Sequence, residues 1–127
     1  MKHPLALCPG LLCDAQLWEH QARHLADIAE PYIGDFTSQD SIAAMARSVL
    51  AAMPARFALA GLSMGGYVAM EAMRQAPERI ERLCLLDTSA RPDTEQQTAF
   101  RRQMLEQVKL GRFKGVTQRM LPLFLHP

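Results

Sequence analysis

Almost no net charge remains on this chain: 14 Lys and Arg offset 13 Asp and Glu, leaving +1 with histidine neutral. A surface without a positive excess offers no electrostatic reason to bind nucleic acid or an anionic membrane. No apolar run approaches the roughly 20 residues of a membrane span. Met1-Lys2-His3-Pro4 leads straight into a strand-like segment and not into a signal peptide, so the expected setting is cytoplasmic. Cysteine is scarce and odd in number: Cys8, Cys13 and Cys84 show no metal-ligand spacing, which fits a reducing compartment. Cys8 and Cys84 lie in apolar runs and are expected as small core side chains, whereas Cys13 lies in a loop with nothing nearby to lower its pKa. Internal repeats, linkers, a phosphate-binding glycine loop with lysine and the dinucleotide glycine spacing are all missing. No cofactor or metal is expected. What is there is 127 residues, 49% hydrophobic and 21% charged, enough for one globular domain with a real core.

Short apolar runs alternate with helical periodicities. Pro4 to Cys8 reads as a buried strand ended by the turn Pro9-Gly10. Asp14 is placed to cap a helix carrying Leu17, Trp18, His24 or Leu25, and Ile28 at helical spacing. Pro31 to Gly34 is a weaker strand. Thr37 or Ser38 starts a helix with Ile42, Met45, Val49, Leu50 and Met53 on one face, and Pro54 follows it. Phe57 to Leu62 is a third strand, Met64 to Ala76 a third helix, and Ile80 to Leu86 a fourth strand ending at Asp87. Continuous apolar strands joined through helices predict an α/β fold, with a mostly parallel sheet covered by helices on both faces. Beyond Arg91-Pro92-Asp93 the rhythm changes to two successive helices. One carries Phe100, Met104, Leu105 and Val108; the other, after Gly111, carries Phe113, Val116, Met120, Leu123 and Phe124. The expected division is therefore a core over 1–90 and a cap-like helical layer over 91–127. The basic residues of that tail, Arg101, Arg102, Lys109, Arg112, Lys114 and Arg119, are expected as a solvated helix face.

The densest information lies in Gly61-Leu62-Ser63-Met64-Gly65-Gly66. A serine between two glycines, after a strand and before a helix, suits a nucleophile elbow, a turn so sharp that the serine adopts strained backbone angles. There its hydroxyl is exposed at a helix N-terminus, where backbone N–H groups favour developing negative charge.

With Leu7-Cys8-Pro9-Gly10-Leu11-Leu12, the helix containing Trp18, and Leu85-Leu86-Asp87-Thr88-Ser89-Ala90, this stretch makes the chain resemble the first half of an α/β-hydrolase, continuing into the start of the cap. Members usually carry His-Gly in the loop after the first of these strands, and this chain has Pro9-Gly10 instead. The resemblance implies that Ser63 is the nucleophile toward an acyl carbonyl, with oxyanion donors at the Met64 and Leu11 backbone N–H groups. It implies a serine hydrolase (esterase-like) acting on a small ester, thioester or lactone. An acyltransferase or haloperoxidase-type relative, and a non-catalytic binding module on the same scaffold, are the alternatives.

The family order of the triad is serine, acid, histidine. Asp87, after the fourth strand, is the one acid in a place some members use, and His126 follows it in the chain but is penultimate. The other histidines are His3, ahead of the first strand, and His20 and His24, one helical turn apart without a third metal ligand. The expectation is a chain that lacks the usual acid and histidine, is nearly inert by itself, and self-associates through the open edge left by its fourth strand.

Overall fold

The computed structural model describes residues 1–125, in the order β1 (His3–Cys8), a 3₁₀ turn (Ala15–Trp18), α1 (Glu19–His24), β2 (Ala29–Ile33), α2 (Ile42–Ala52), β3 (Phe57–Leu62), α3 (Met64–Gln75), a 3₁₀ turn (Pro77–Arg79), β4 (Ile80–Leu86) and α4 (Glu95–Lys109). A 3₁₀ turn (Gln118–Met120) and α5 (Leu121–Phe124) complete it. The chain divides into two compact units, with the boundary in the sequence between Ala90 and Arg91.

The first unit is a four-stranded sheet in the order β2-β1-β3-β4, every neighbouring pair parallel. Parallel strands alternate their side chains between two faces, and both faces are clothed. Ala6, Cys8, Phe57 and Leu59 point to one side and pack with Ala46, Val49 and Met53 of the α2 segment and Val68, Ala69 and Ala72 of α3. Leu7 and Ala60 point to the other and pack with Trp18, with Leu5, Leu17, Ala22, Ile33, Leu62 and Leu86 around them. Burial lifts the Cys8 thiol to about 12, so it is an inert core side chain.

Two polar devices fix the helices to this core. Gln75 Nε2 of α3 donates to the Ala43 carbonyl of α2 at 3.2 Å. Arg79 Nη2 donates to the Met53 and Pro54 carbonyls, both at 2.7 Å, satisfying acceptors just past the end of α2, and its guanidinium lies over the Phe57 ring at 5.7 Å. Between β3 and β4 the register slips after Phe57–Ile80 to Ala58–Arg82, leaving Glu81 as an extra residue that pairs with Arg56 at 2.9 Å.

Several boundaries differ from the sequence expectation. The first helix stops at His24, not Ile28, because the chain turns through Leu25–Ile28 to enter β2; Ile28 is exposed. The second begins at Ile42 and not at Thr37 or Ser38. Thr37 instead gives both its amide and its hydroxyl to Asp35 Oδ1 (3.0 and 2.7 Å), a local turn that competes with helix, and Ser41 caps α2 through the Ala44 amide at 3.2 Å. Cys84 is exposed, not buried, because β4 is an edge strand; Leu83 and Leu85 beside it are 40% and 44% exposed.

The second unit is built on α4, which starts with a reciprocal capping box: Thr94 Oγ1 accepts from the Gln97 amide and Gln97 Oε1 accepts from the Thr94 amide. Arg101 pairs with Asp93 at 2.6 Å. The long second helix expected from Phe113 onward is replaced by a 3₁₀ turn and the one-turn α5. Gly111 and Gly115 both take positive φ (66° and 67°), which breaks the helical path.

Phe57 is fully buried. Phe57→Ala is expected to lower stability by about 3–5 kcal/mol, while Leu105→Ala, on the exposed α4 surface, changes it by less than about 0.5 kcal/mol. Urea unfolding curves of the two variants check this.

Candidate active site

Ser63 stands between β3 and α3 with φ 53° and ψ −115°, and it is exposed. A non-glycine residue there stores roughly 1–3 kcal/mol of backbone strain, which persists only where the surroundings over-determine it. They do. The Ser63 N–H donates to the Leu86 carbonyl at 3.0 Å, and the Ser63 carbonyl accepts from the Gly66 N–H at 2.9 Å and from Thr88 Oγ1 at 2.8 Å. The end of β4 therefore grips the residue on both of its peptide groups.

The turn closes because glycines leave the space. A Cβ on Gly65 would land on the Cys8 carbonyl oxygen, and one on Gly61 would land on the Gly65 carbonyl oxygen. The first turn of α3 thus lies directly on the backbone at the end of β1. A Cβ on Gly66 would run into the Thr88 side chain. A Cβ on Gly10 would lie 3.5 Å from Ser63 Cβ, so the loop after β1 runs past the serine.

Leu11 and Leu12 form the corners of a turn closed by Cys13 N–H to the Gly10 carbonyl at 3.1 Å; Leu12 has φ 60°, and the Leu11 N–H takes no part in that bond. The Met64 N–H is the first amide of α3 and has no acceptor within the helix. Ser63, Met64 and the Gly10–Leu11 loop all lie at the carboxyl ends of strands, where open parallel sheets place ligands.

Asp87 is exposed with φ 43°, so its backbone makes the turn that leads from β4 to Thr88. Aspartate is among the residues that tolerate this left-handed region. No described histidine is hydrogen-bonded to Ser63. His3 opens β1, some 16 Å from Cys8 at about 3.3 Å per residue. His20 and His24 stack with centroids 4.0 Å apart, and His24 Nδ1 contacts the His20 carbonyl at 2.8 Å. His126 lies outside the described residues. Among the described residues no group of three His, Cys, Asp or Glu side chains could hold a metal ion, and no helix is long and apolar enough to cross a membrane. Sequence reasoning gave Thr88 no role. A small polar residue after a strand is too common a pattern to single it out, and only the fold brings it to Ser63.

No protein-family model matches the chain, and no curated protein matches it. Solved structures do. A thermophilic esterase from Thermogutta terrifontis, determined with malate bound, is 29% identical with a TM-score of 0.79 over 96% of this chain and 50% of its own. A hydrolase from Pseudomonas aeruginosa PA01 is 26% identical with a TM-score of 0.69 over 99% of this chain and 55% of its own. A bacterial membrane phospholipase A, 24% identical with a TM-score of 0.61, shares the fold. The chain spans about half the length of the esterase and of the Pseudomonas hydrolase, and 38% of the phospholipase.

The glycine packing can be checked directly. Gly65→Ala must displace backbone and is expected to cost several kcal/mol, more than the roughly 1–2 kcal/mol that a left-handed alanine costs in Gly111→Ala, where nothing lies within 4 Å. Denaturant midpoints of the two variants rank them. The strand–turn–helix around Ser63, the parallel sheet with helices on both faces and the matching solved structures agree: the chain has the α/β fold of these hydrolases, consistent with a partial α/β-hydrolase core.

Proposed function

We propose that Ser63 is the nucleophile of a serine hydrolase acting on a small carboxylic ester, thioester or lactone. The observation that carries this reading is the strained, exposed Ser63 at the N-terminus of α3, pinned at φ 53° beside the loop after β1. The esterase among the matching structures supports the substrate class. Ser63 Oγ attacks the acyl carbon and its proton passes to a general base. The carbonyl oxygen becomes an oxyanion that accepts from the Met64 and Leu11 N–H groups, each worth about 3–4 kcal/mol in the transition state. Collapse expels the alcohol or thiol, which takes the proton from the base, and leaves Ser63 acylated. Water then repeats the sequence to release the acid and restore the hydroxyl.

The general base and the acid that orients it come, in this reading, from residues beyond those described. Two observations support this: no described histidine is bonded to Ser63, and the matching esterase and Pseudomonas hydrolase are about twice as long. Without the histidine, the rate falls by on the order of a millionfold, so the 127-residue chain alone is expected to turn over no ester.

A fluorophosphonate probe tests the proposal on the complete gene product: labelling at Ser63, abolished in Ser63→Ala, is the expected result. No labelling would overturn it in favour of a binding module on the same scaffold. Asp87 is tested alongside. If it only shapes the turn, Asp87→Asn keeps the labelling rate within about 3-fold; if it is the catalytic acid, the rate falls by about 10⁴, as for loss of a triad carboxylate.

β4 carries apolar side chains on both faces, Leu83 and Leu85 on one and Cys84 and Leu86 on the other, beside an unpaired strand edge. The 127-residue chain alone is therefore expected to associate through this edge. Light scattering that finds only monomer at high concentration would contradict it.

A further inference from the structure

The Ser63 carbonyl and the Met64 N–H are the two ends of one planar peptide unit. Whatever holds the carbonyl also aims the amide. Here the carbonyl has two partners, the Gly66 N–H at 2.9 Å, from within the same turn, and the hydroxyl of Thr88 at 2.8 Å, 25 residues later in the chain.

We infer that Thr88 is a positioning residue for the oxyanion donor at Met64, a role that rests on the hydrolase reading of Ser63. Its hydroxyl acts through the Ser63–Met64 peptide and does not touch substrate. The effect has two parts. Orientation comes first: a peptide plane bonded through its oxygen to a second strand end cannot rock about the strained Ser63 backbone, so the Met64 N–H is held ready for an oxyanion. Polarisation comes second. A hydrogen bond accepted at C=O withdraws electron density through the amide and strengthens its N–H as a donor, by about 10–30% per bond in a chain of such bonds.

The surrounding structure is arranged to present this hydroxyl. Asp87, with φ 43°, turns the chain at the end of β4 so that Thr88 doubles back over α3. The Leu86 carbonyl takes the Ser63 N–H at 3.0 Å, fixing the β3 and β4 ends to each other next to the Thr88 bond. The Thr88 side chain packs on Gly66, where any Cβ would collide with Oγ1, Cβ and Cγ2. Gly66 is therefore the seat that lets Thr88 approach the carbonyl.

The experiment compares Thr88→Val, which keeps the shape and deletes the hydroxyl, with Thr88→Ser, which keeps the hydroxyl, in the complete gene product. Thr88→Val is expected to lower the fluorophosphonate labelling rate at Ser63, and kcat on an activated ester, by about 10-fold, with KM changed less than about 2-fold. Thr88→Ser is expected to restore both to within about 3-fold of wild type. A residue that serves only packing predicts the opposite ranking, because valine fills the space and serine does not. Thr88→Ala is the substitute if the valine variant fails to fold, and serine must again outperform it. Valine or alanine variants that are folded and react at the wild-type rate would overturn the inference while leaving Ser63 as nucleophile. Absence of labelling in the wild-type protein would overturn the hydrolase reading and this role with it.

Discussion

The structure turns on a contact made without side chains. The Cα of Gly65 faces the Cys8 carbonyl so closely that a single methyl group would occupy the position of that oxygen. This lets α3 begin on the sheet with no intervening layer. A helix starting one residue later, or standing off by the width of an alanine, would not force Ser63 into its positive-φ bend. The strain at Ser63 follows from this approach, and the bonds from Leu86 and Thr88 hold it there.

The unevenness of the sheet is equally informative. On the side of α2 and α3, Phe57, Leu59 and Ala6 are sealed and Arg79 closes the end of α2. On the side of Trp18, Leu7 and Ala60 are covered while Cys84 of the outer strand is not. The second half of β4, Leu83-Cys84-Leu85-Leu86, is as apolar as the interior strand β3, yet β4 occupies an edge position. The slip at Glu81 and its pairing with Arg56 lie at the opposite end of the sheet from Ser63.

What could be read in the residues, and what could not, divides along physical lines. The runs Phe57–Leu62 and Ile80–Leu86 matched their strands at both ends because breakers lie close beside them; the first is also apolar throughout, as a strand buried between neighbours must be, whereas the second is an exposed edge strand that carries Glu81 and Arg82. The third helix differed from expectation by one residue at its end, Gln75 against Ala76. The turn with positive φ at Ser63 was signalled by its glycines. Asp14 caps the first helical turn as the sequence predicts, accepting from the Gln16 amide at 2.9 Å. The helix start near residue 37 was less legible, since Asp35 and Thr37 satisfy backbone groups locally and apolar spacing does not register that competition. Cys84 misled for a different reason. Hydrophobicity records a preference for burial but not which element supplies the cover. The link between Ser63 and Thr88 joins positions 25 apart, and no local pattern encodes it.

The exposed thiol of β4 has a practical consequence. Cys84 lies in register with Ala60, directly across from the strand that ends at the serine, while Cys8 is sealed in the core. Once the other exposed thiol, Cys13, is replaced by serine, a spin label or fluorophore attached at Cys84 would sit at the flank of the sheet and report, through its mobility, the moment another segment settles beside it.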